Sequence, residues 1–175
     1  LNFSGVFIEG IRNIRALDIE FAHELGYCIK LLGITKRNES EVEQRVHPCM
    51  IHRDTPIAKV NGVLNAVVAE GDHVGQVVFE GAGAGQKPTA SAVVGDIVDI
   101  ARGRTSPPFS IPSSSFKNLN TQSMSERFGA YYIRLIVHDQ SGVLAEAADV
   151  FAEEKVSIET VLQRGRDPKS TVPLI

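Results

Sequence analysis

Three glycines at alternate positions, Gly81, Gly83 and Gly85, stand between an apolar strand-like run, Val77-Val78-Phe79-Glu80, and an apolar helix-like run, Ala90 to Ala101. Glycine has no side chain, so another molecule can come close to the main chain there. The helix start beyond the loop offers unpaired N–H groups and the positive end of a helix dipole, which favour a ligand or cofactor contact. A tight turn that only packs the helix on the sheet is the plainer alternative. The spacing is G-x-G-x-G, not the G-x-G-x-x-G of a dinucleotide loop, and Lys87-Pro88-Thr89 is not the end of a P-loop. No acidic residue about 20 positions on closes a second strand, as a dinucleotide fold needs. Any nucleotide contact here is therefore accessory, with the main binding domain elsewhere.

Other reactive side chains read more plainly. His47, Cys49 and His52 are close in sequence, but on a strand 47 and 49 share a face and 52 points away. There is no second ligand pair at zinc spacing, so no metal is expected. Lys87 reads as an exposed lysine at a helix start, with a phosphate contact as the alternative, and Glu9 as structural. His138 and Asp139 end a strand, where a proton-transfer pair can sit.

The elements that position these residues follow the hydrophobic pattern. Ile14, Leu17, Phe21 and Leu25 recur at helical spacing, and Gly26 is a stop signal. Arg15-Ala16 makes a poor cap for that helix. Tyr27 to Ile34 is a strand, and Val42 to Met50 alternates as a half-buried strand, with Pro48 at an edge or bulge. Val63 to Glu70 and Val74 to Glu80 form a hairpin across Gly71-Asp72-His73. Pro88 to Arg102 is a helix apolar almost all round, which predicts burial between layers. With about three strands over residues 42 to 80 and two helices to cover them, a sheet face or edge is left for a twofold partner. Segment 104–128 is rich in proline and serine and reads as a mobile linker. Tyr132 to Val137 then reads as a strand, Gly142 to Glu154 as a helix and Val156 to Gln163 as a second strand, the first half of a ferredoxin-like module.

Composition excludes several classes. Hydrophobic residues are 43% and charged residues 22%, which suits a globular protein of one domain and part of another. The net charge of -3 gives no reason to expect nucleic acid, and no apolar run is long enough to span a membrane. Two cysteines, Cys28 and Cys49, suggest a reducing compartment, hence the cytoplasm.

The string Glu80-Gly81-Ala82-Gly83-Ala84-Gly85-Gln86-Lys87-Pro88-Thr89-Ala90-Ser91-Ala92-Val93-Val94-Gly95-Asp96-Ile97-Val98 resembles a signature late in the catalytic domain of homoserine dehydrogenases. Glu9 to Ile14, Asp18 to Ala22, Glu24 to Tyr27, Pro56-Ile57-Ala58, Val60, Gly62 and Asn65-Ala66 are similar to the same family. Tyr131 to Leu135 followed by Asp139 to Ala145 looks like the start of an ACT domain, an amino-acid-sensing module that monofunctional members carry at the C-terminus. The order of the pieces is more specific than any one of them.

The resemblance implies an α+β fold: a mixed-sheet catalytic and dimerisation domain over 1–103, a linker over 104–129 and the N-terminal half of a ferredoxin-like ACT domain over 130–175. It implies NAD(P)-dependent, reversible reduction of L-aspartate 4-semialdehyde to L-homoserine in threonine, methionine and isoleucine biosynthesis. Gly83, Gly85 and Thr89 would lie at the cofactor, NADP or NAD, with Thr89 mainly a helix cap. Asp139 and Gly142 would bind an effector, L-threonine. The family's catalytic lysine and aspartate lie upstream of Leu1, as does its Rossmann domain, so a piece of a longer enzyme, inactive by itself, is expected. A homodimer or homotetramer is expected. The alternative is a non-enzymatic ACT regulator, disfavoured by the Gly81 to Ala92 signature.

Overall fold

The computed structural model describes residues 3–104, 106, 107, 109–165 and 170–175, which fall into two compact units. The first comprises residues 3–11 and 26–124 of these. The second comprises Arg12–Leu25 and the described residues from Ser125 to Ile175.

In the first unit, β2 (Tyr27–Arg37) and β3 (Glu41–His52) form a long antiparallel ladder, from Tyr27↔His52 to Arg37↔Val42. Its turn is fixed by Asn38, whose Oδ1 accepts from the backbone N–H of Ser40 at 3.1 Å and of Glu41 at 2.7 Å. That local bonding is what suits asparagine to a turn. β1 (Phe7–Ile8) pairs in parallel with β3 at Arg45 and Val46. Pro48 faces Leu31 of β2 and lies past the end of the β1 pairing, on the part of β3 with a strand on one side only. A residue without an N–H is tolerated there.

β4 (Leu64–Gly71) and β5 (Gly75–Ala82) form the expected hairpin across Asp72 and His73. α2 (Gln86–Ala101) follows. The expected burial of α2 is overturned: none of its residues is buried, and Ile97 and Ile100 are 59% and 71% exposed. A helix satisfies its own backbone hydrogen bonds, so the apolar pattern predicts the element without saying which surface covers it. The segment expected to be a mobile linker contributes β6 (Asn120–Thr121), which pairs in parallel with β3 at Glu41 and Val42. The Thr121 side chain lies where a Cβ on Gly5 would stand, 2.7 Å from Oγ1.

In the second unit, α1 (Ala16–Glu24) ends at Leu25, and Gly26 takes a φ of +84° just beyond. β7 (Leu135–His138) pairs antiparallel with β8 (Thr171–Leu174), and α3 (Val143–Glu153) lies between them in sequence. The strand expected over Val156 to Gln163 is not formed. Only its end is paired: Gln163 bridges Leu174, and Leu162 and Ile175 exchange backbone hydrogen bonds at 2.9 Å. β-prone residues make a strand only beside a pairing neighbour, and among the described residues, 156–161 lie in no strand pair, the Val156 N–H donating instead to the Phe151 carbonyl at 2.8 Å. The fully buried apolar side chains among the described residues, Phe21, Ala22, Val172 and Leu174, all belong to this unit.

Among the described residues no helix is long and apolar enough to cross a membrane. Neither cysteine forms a disulfide.

Candidate functional site

The glycine loop runs from the end of β5 to the start of α2. Gly83 has a steric reason to be glycine. A Cβ there would stand 2.8 Å from the Asn65 Cγ, and Asn65 is held beside the loop because it pairs with Gly81 in the hairpin ladder. Gly85 has a conformational reason. It is the residue before the first turn of α2, with φ +120° and ψ 154°, a backbone that side chains rarely adopt. No side chain caps the helix, so its first N–H groups keep no side-chain acceptor. Thr89 does not act as the cap. It stands one turn inside, its N–H donating to the Gly85 carbonyl at 3.0 Å. A cap must precede the first turn, and Gly85 occupies that place.

The structure therefore brings Gly83, Gly85 and Thr89 into one strand–loop–helix corner. What the corner offers is main chain: a helix N-terminus with no side-chain cap. It can receive an anionic or polar group, with Lys87 and Thr89 on the first turn of α2 beside it.

The second predicted site is the loop after β7. The Gln140 N–H donates to the His138 carbonyl at 2.9 Å, closing a tight bend. Gly142 follows with φ +99° and precedes α3, whose first bond runs from the Glu146 N–H to the Gly142 carbonyl. A Cβ at Gly142 would meet nothing within 4 Å, so its backbone conformation, not crowding, favours glycine. The Asp139 Oδ1 accepts from the Gln163 Nε2 at 3.4 Å, which ties the loop to the paired end of the 156–163 segment. Asp139 and Gly142 thus lie at the same bend, one at each end.

Among the described residues the most buried ionisable group is one named above only within a family-like run. Asp18, on the first turn of α1, is 2% exposed. Its Oδ2 accepts from the Arg15 N–H at 2.7 Å and from the Arg134 guanidinium, and its Oδ1 from the Tyr132 hydroxyl at 2.7 Å. Burial by itself raises such a carboxyl, but the bonds from Arg15, Tyr132 and Arg134 and the Arg134 charge outweigh it and hold Asp18 below the usual range. Burial, together with the Asp18 bond and charge, pushes the Tyr132 hydroxyl far up, so it stays a donor. The bond to the Arg15 N–H also supplies the helix-start acceptor that Arg15-Ala16 seemed to lack. The readable signal was an acid at position 18, beside Leu17 and three residues before Phe21 on the apolar face.

His47 and Cys49 do share a face, with Sγ 3.6 Å from Nδ1, while His52 accepts from the Asp54 N–H and packs edge-on against Tyr27. Among the described residues no three such groups gather to hold a metal ion.

Comparison with known proteins agrees across the chain. The family model for homoserine dehydrogenase matches residues 1–98, and that for the ACT domain matches residues 131–174. The homoserine dehydrogenase of Neisseria gonorrhoeae is 41% identical over 181 aligned positions, covering 100% of this chain and 42% of the relative. That of Helicobacter pylori is 43% identical, covering 91% and 37%. The crystal structure of a homoserine dehydrogenase from Thiobacillus denitrificans superimposes with a TM-score of 0.85 at 38% identity, covering 99% of this chain and 40% of that one. The chain thus spans about two fifths of the length of these relatives.

Proposed function

The chain belongs to the homoserine dehydrogenase family, and from that membership we propose that it serves the reversible reduction of L-aspartate 4-semialdehyde to L-homoserine with NADP or NAD. The carrying observation is the glycine loop within the matched region, ending in an uncapped helix start behind Gly85. The cofactor supplies the hydride, and the protein positions it and the substrate. Gly85 is the point of close main-chain approach to the nicotinamide-bearing cofactor. Gly83 lets the loop pass Asn65 and so sets where Gly85 stands. Thr89 lines the same corner from inside the first turn. No catalytic residue is assigned among the described residues, and the cofactor is left as NADP or NAD.

The test is cofactor KM and kcat for Gly85→Val in the full-length enzyme, read by nicotinamide absorbance with aspartate semialdehyde. The expected result is a loss of about 100-fold in kcat/KM, the size that a small misplacement at a reacting centre can produce. Unchanged kinetics in a folded variant would defeat the assignment. Wild-type enzyme with no reductase activity on this substrate would defeat the function.

The ACT-matched segment makes the enzyme a candidate for feedback by an amino acid, L-threonine, held by the Asp139 to Gly142 loop. The helix start behind Gly142 suits a carboxylate, and the Asp139 carboxylate suits an ammonium group. ACT modules commonly bind such ligands between two copies, which fits a homodimer or homotetramer. The uncovered apolar face of α2 supports the same assembly. A strict monomer in sedimentation of the full-length enzyme at micromolar concentration would count against it. The expected compartment is the cytoplasm. Threonine inhibition curves for Asp139→Ala and Gly142→Asp beside wild type test the regulatory reading: both variants should need more threonine, and equal inhibition of all three would exclude this loop.

A further inference from the structure

The regulatory reading leaves open how the C-terminal module is held to the rest of the chain. α1 lies in the stretch matched by the homoserine dehydrogenase family, while Tyr132 and Arg134 open the stretch matched by the ACT family. Yet these three pieces belong to one compact unit. The chain leaves the first unit after Ile11, builds α1 in the second, and returns at Gly26 to start β2. α1 is therefore covalently tied at both ends to strands that pair with β3.

The contact that claims α1 for the C-terminal module is polar and specific. Asp18 gathers one local donor, the Arg15 N–H, and two donors from more than a hundred residues away. Tyr132 and Arg134 are two apart, just before β7, and both reach the same carboxylate. Their segment runs directly into β7, whose far end is the Asp139 to Gly142 bend. A buried carboxylate with all its donors in place is rigid, and removing it leaves an unpaired guanidinium and a hydroxyl without an acceptor.

We infer that Asp18 is a positioning residue that clamps α1 to the entry of β7, so that α1 and the ACT-matched segment move and open as one body. α1 is then the element through which a change at the effector bend is carried towards β1 and β2. This second half rests on the regulatory reading above; the clamp itself does not.

The test is amide hydrogen exchange on the full-length enzyme, comparing wild type with Asp18→Asn and Tyr132→Phe. Asp18→Asn should accelerate exchange in residues 16–24 and 132–138 together, by about ten-fold or more, while the hairpin over 64–82 is unchanged. Tyr132→Phe removes one donor and keeps the ring, so it should fold and show the same pattern at smaller amplitude. Loosening of only one of the two segments, in either variant, would overturn the clamp, as would no loosening in both. A threonine titration sharpens the result. Loss of inhibition in Asp18→Asn, with threonine still bound by calorimetry, supports transmission through α1, and inhibition equal to wild type overturns it. A wild type that threonine does not inhibit would defeat the regulatory reading, and exchange alone would then decide the clamp.

Discussion

The two units of this molecule hold their apolar residues differently. The second unit is the smaller, yet it contains Phe21, Ala22, Val172 and Leu174, each almost wholly removed from water, and a carboxylate with three donors beside them. The glycine-loop part of the first unit has longer elements and a clean hairpin, yet leaves Val67, Phe79, Val93, Val94, Ile97 and Ile100 largely exposed. One region has a small closed core of its own, although its Phe128, Tyr131, Ile136 and Val150 stand exposed. The other is regular in its backbone and open in its side chains. Exposed apolar patches of this kind commonly mark interaction surfaces, and the proposed cofactor loop lies on this open region.

The comparison can be broken most forcefully at Phe21. Phe21→Ala in the 175-residue chain should cost about 3–5 kcal/mol, the usual penalty for emptying a core aromatic site, read as a lower urea midpoint for the second unit. A loss below about 1 kcal/mol would show that this unit has no real core.

A smaller effect is expected at Gly83. An added methyl group must displace Asn65, so Gly83→Ala should destabilise by about 1–3 kcal/mol. Asn65→Gly in the same chain should recover most of that loss. If it does not, the glycine is needed for its backbone and not for the space.

Acid gives a smaller effect again, confined to one unit. Asp18 has a folded pKa below its ordinary value of 3.8, so its contribution is complete above that value and is lost as pH falls through the folded pKa. Unfolding of the second unit, followed between pH 5 and 2, should become easier with acid in wild type and less steeply so in Asp18→Asn. Equal slopes would mean that the carboxylate is as easily protonated folded as unfolded.

The smallest change belongs to the open region. Ile97→Ala in the 175-residue chain should shift stability by no more than about 0.5 kcal/mol, as at other exposed positions. In the assembled full-length enzyme the same substitution should cost about 2 kcal/mol, because the side chain is then covered. Equal, small costs in both would show that this face stays wet.

What the residues disclosed follows the same division. The hairpin was legible because Gly71-Asp72-His73 names a turn and apolar residues flank it on both sides. β2 and β3 were legible from alternation, and Pro48 was placed correctly because a missing N–H is tolerated only at an unpaired edge. The burial of α2 was misjudged because apolar side chains state a demand for cover without saying which surface supplies it. Val156 to Gln163 failed similarly: its β-branched residues suit a strand, but a strand also needs a neighbour. Asp18 was read only within the family-like run Asp18 to Ala22, since an acid in the first turn of a helix is favourable there without any distant partner. Its donors are far away in sequence, and nothing in residue type links 18 to 132 and 134. Of the candidate site residues, Gly85 and Gly142 could be read from position, since each stands before a helix with a backbone that favours glycine. The Gly83 constraint depends on Asn65, which only the hairpin register brings near.

The detour of the chain through α1 bears on how such a protein can be taken apart or assembled by gene fusion. Cutting after Met124 parts Phe21 and Ala22 from Val172 and Leu174, and Asp18 from two of its donors. The nine-residue helix left behind is too short to persist on its own. A recipient protein given only residues 131–174 would receive the ACT-matched segment without the helix whose Asp18 bonds to it. Because the second unit is built from two separate stretches of chain, no single breakpoint parts the two units cleanly.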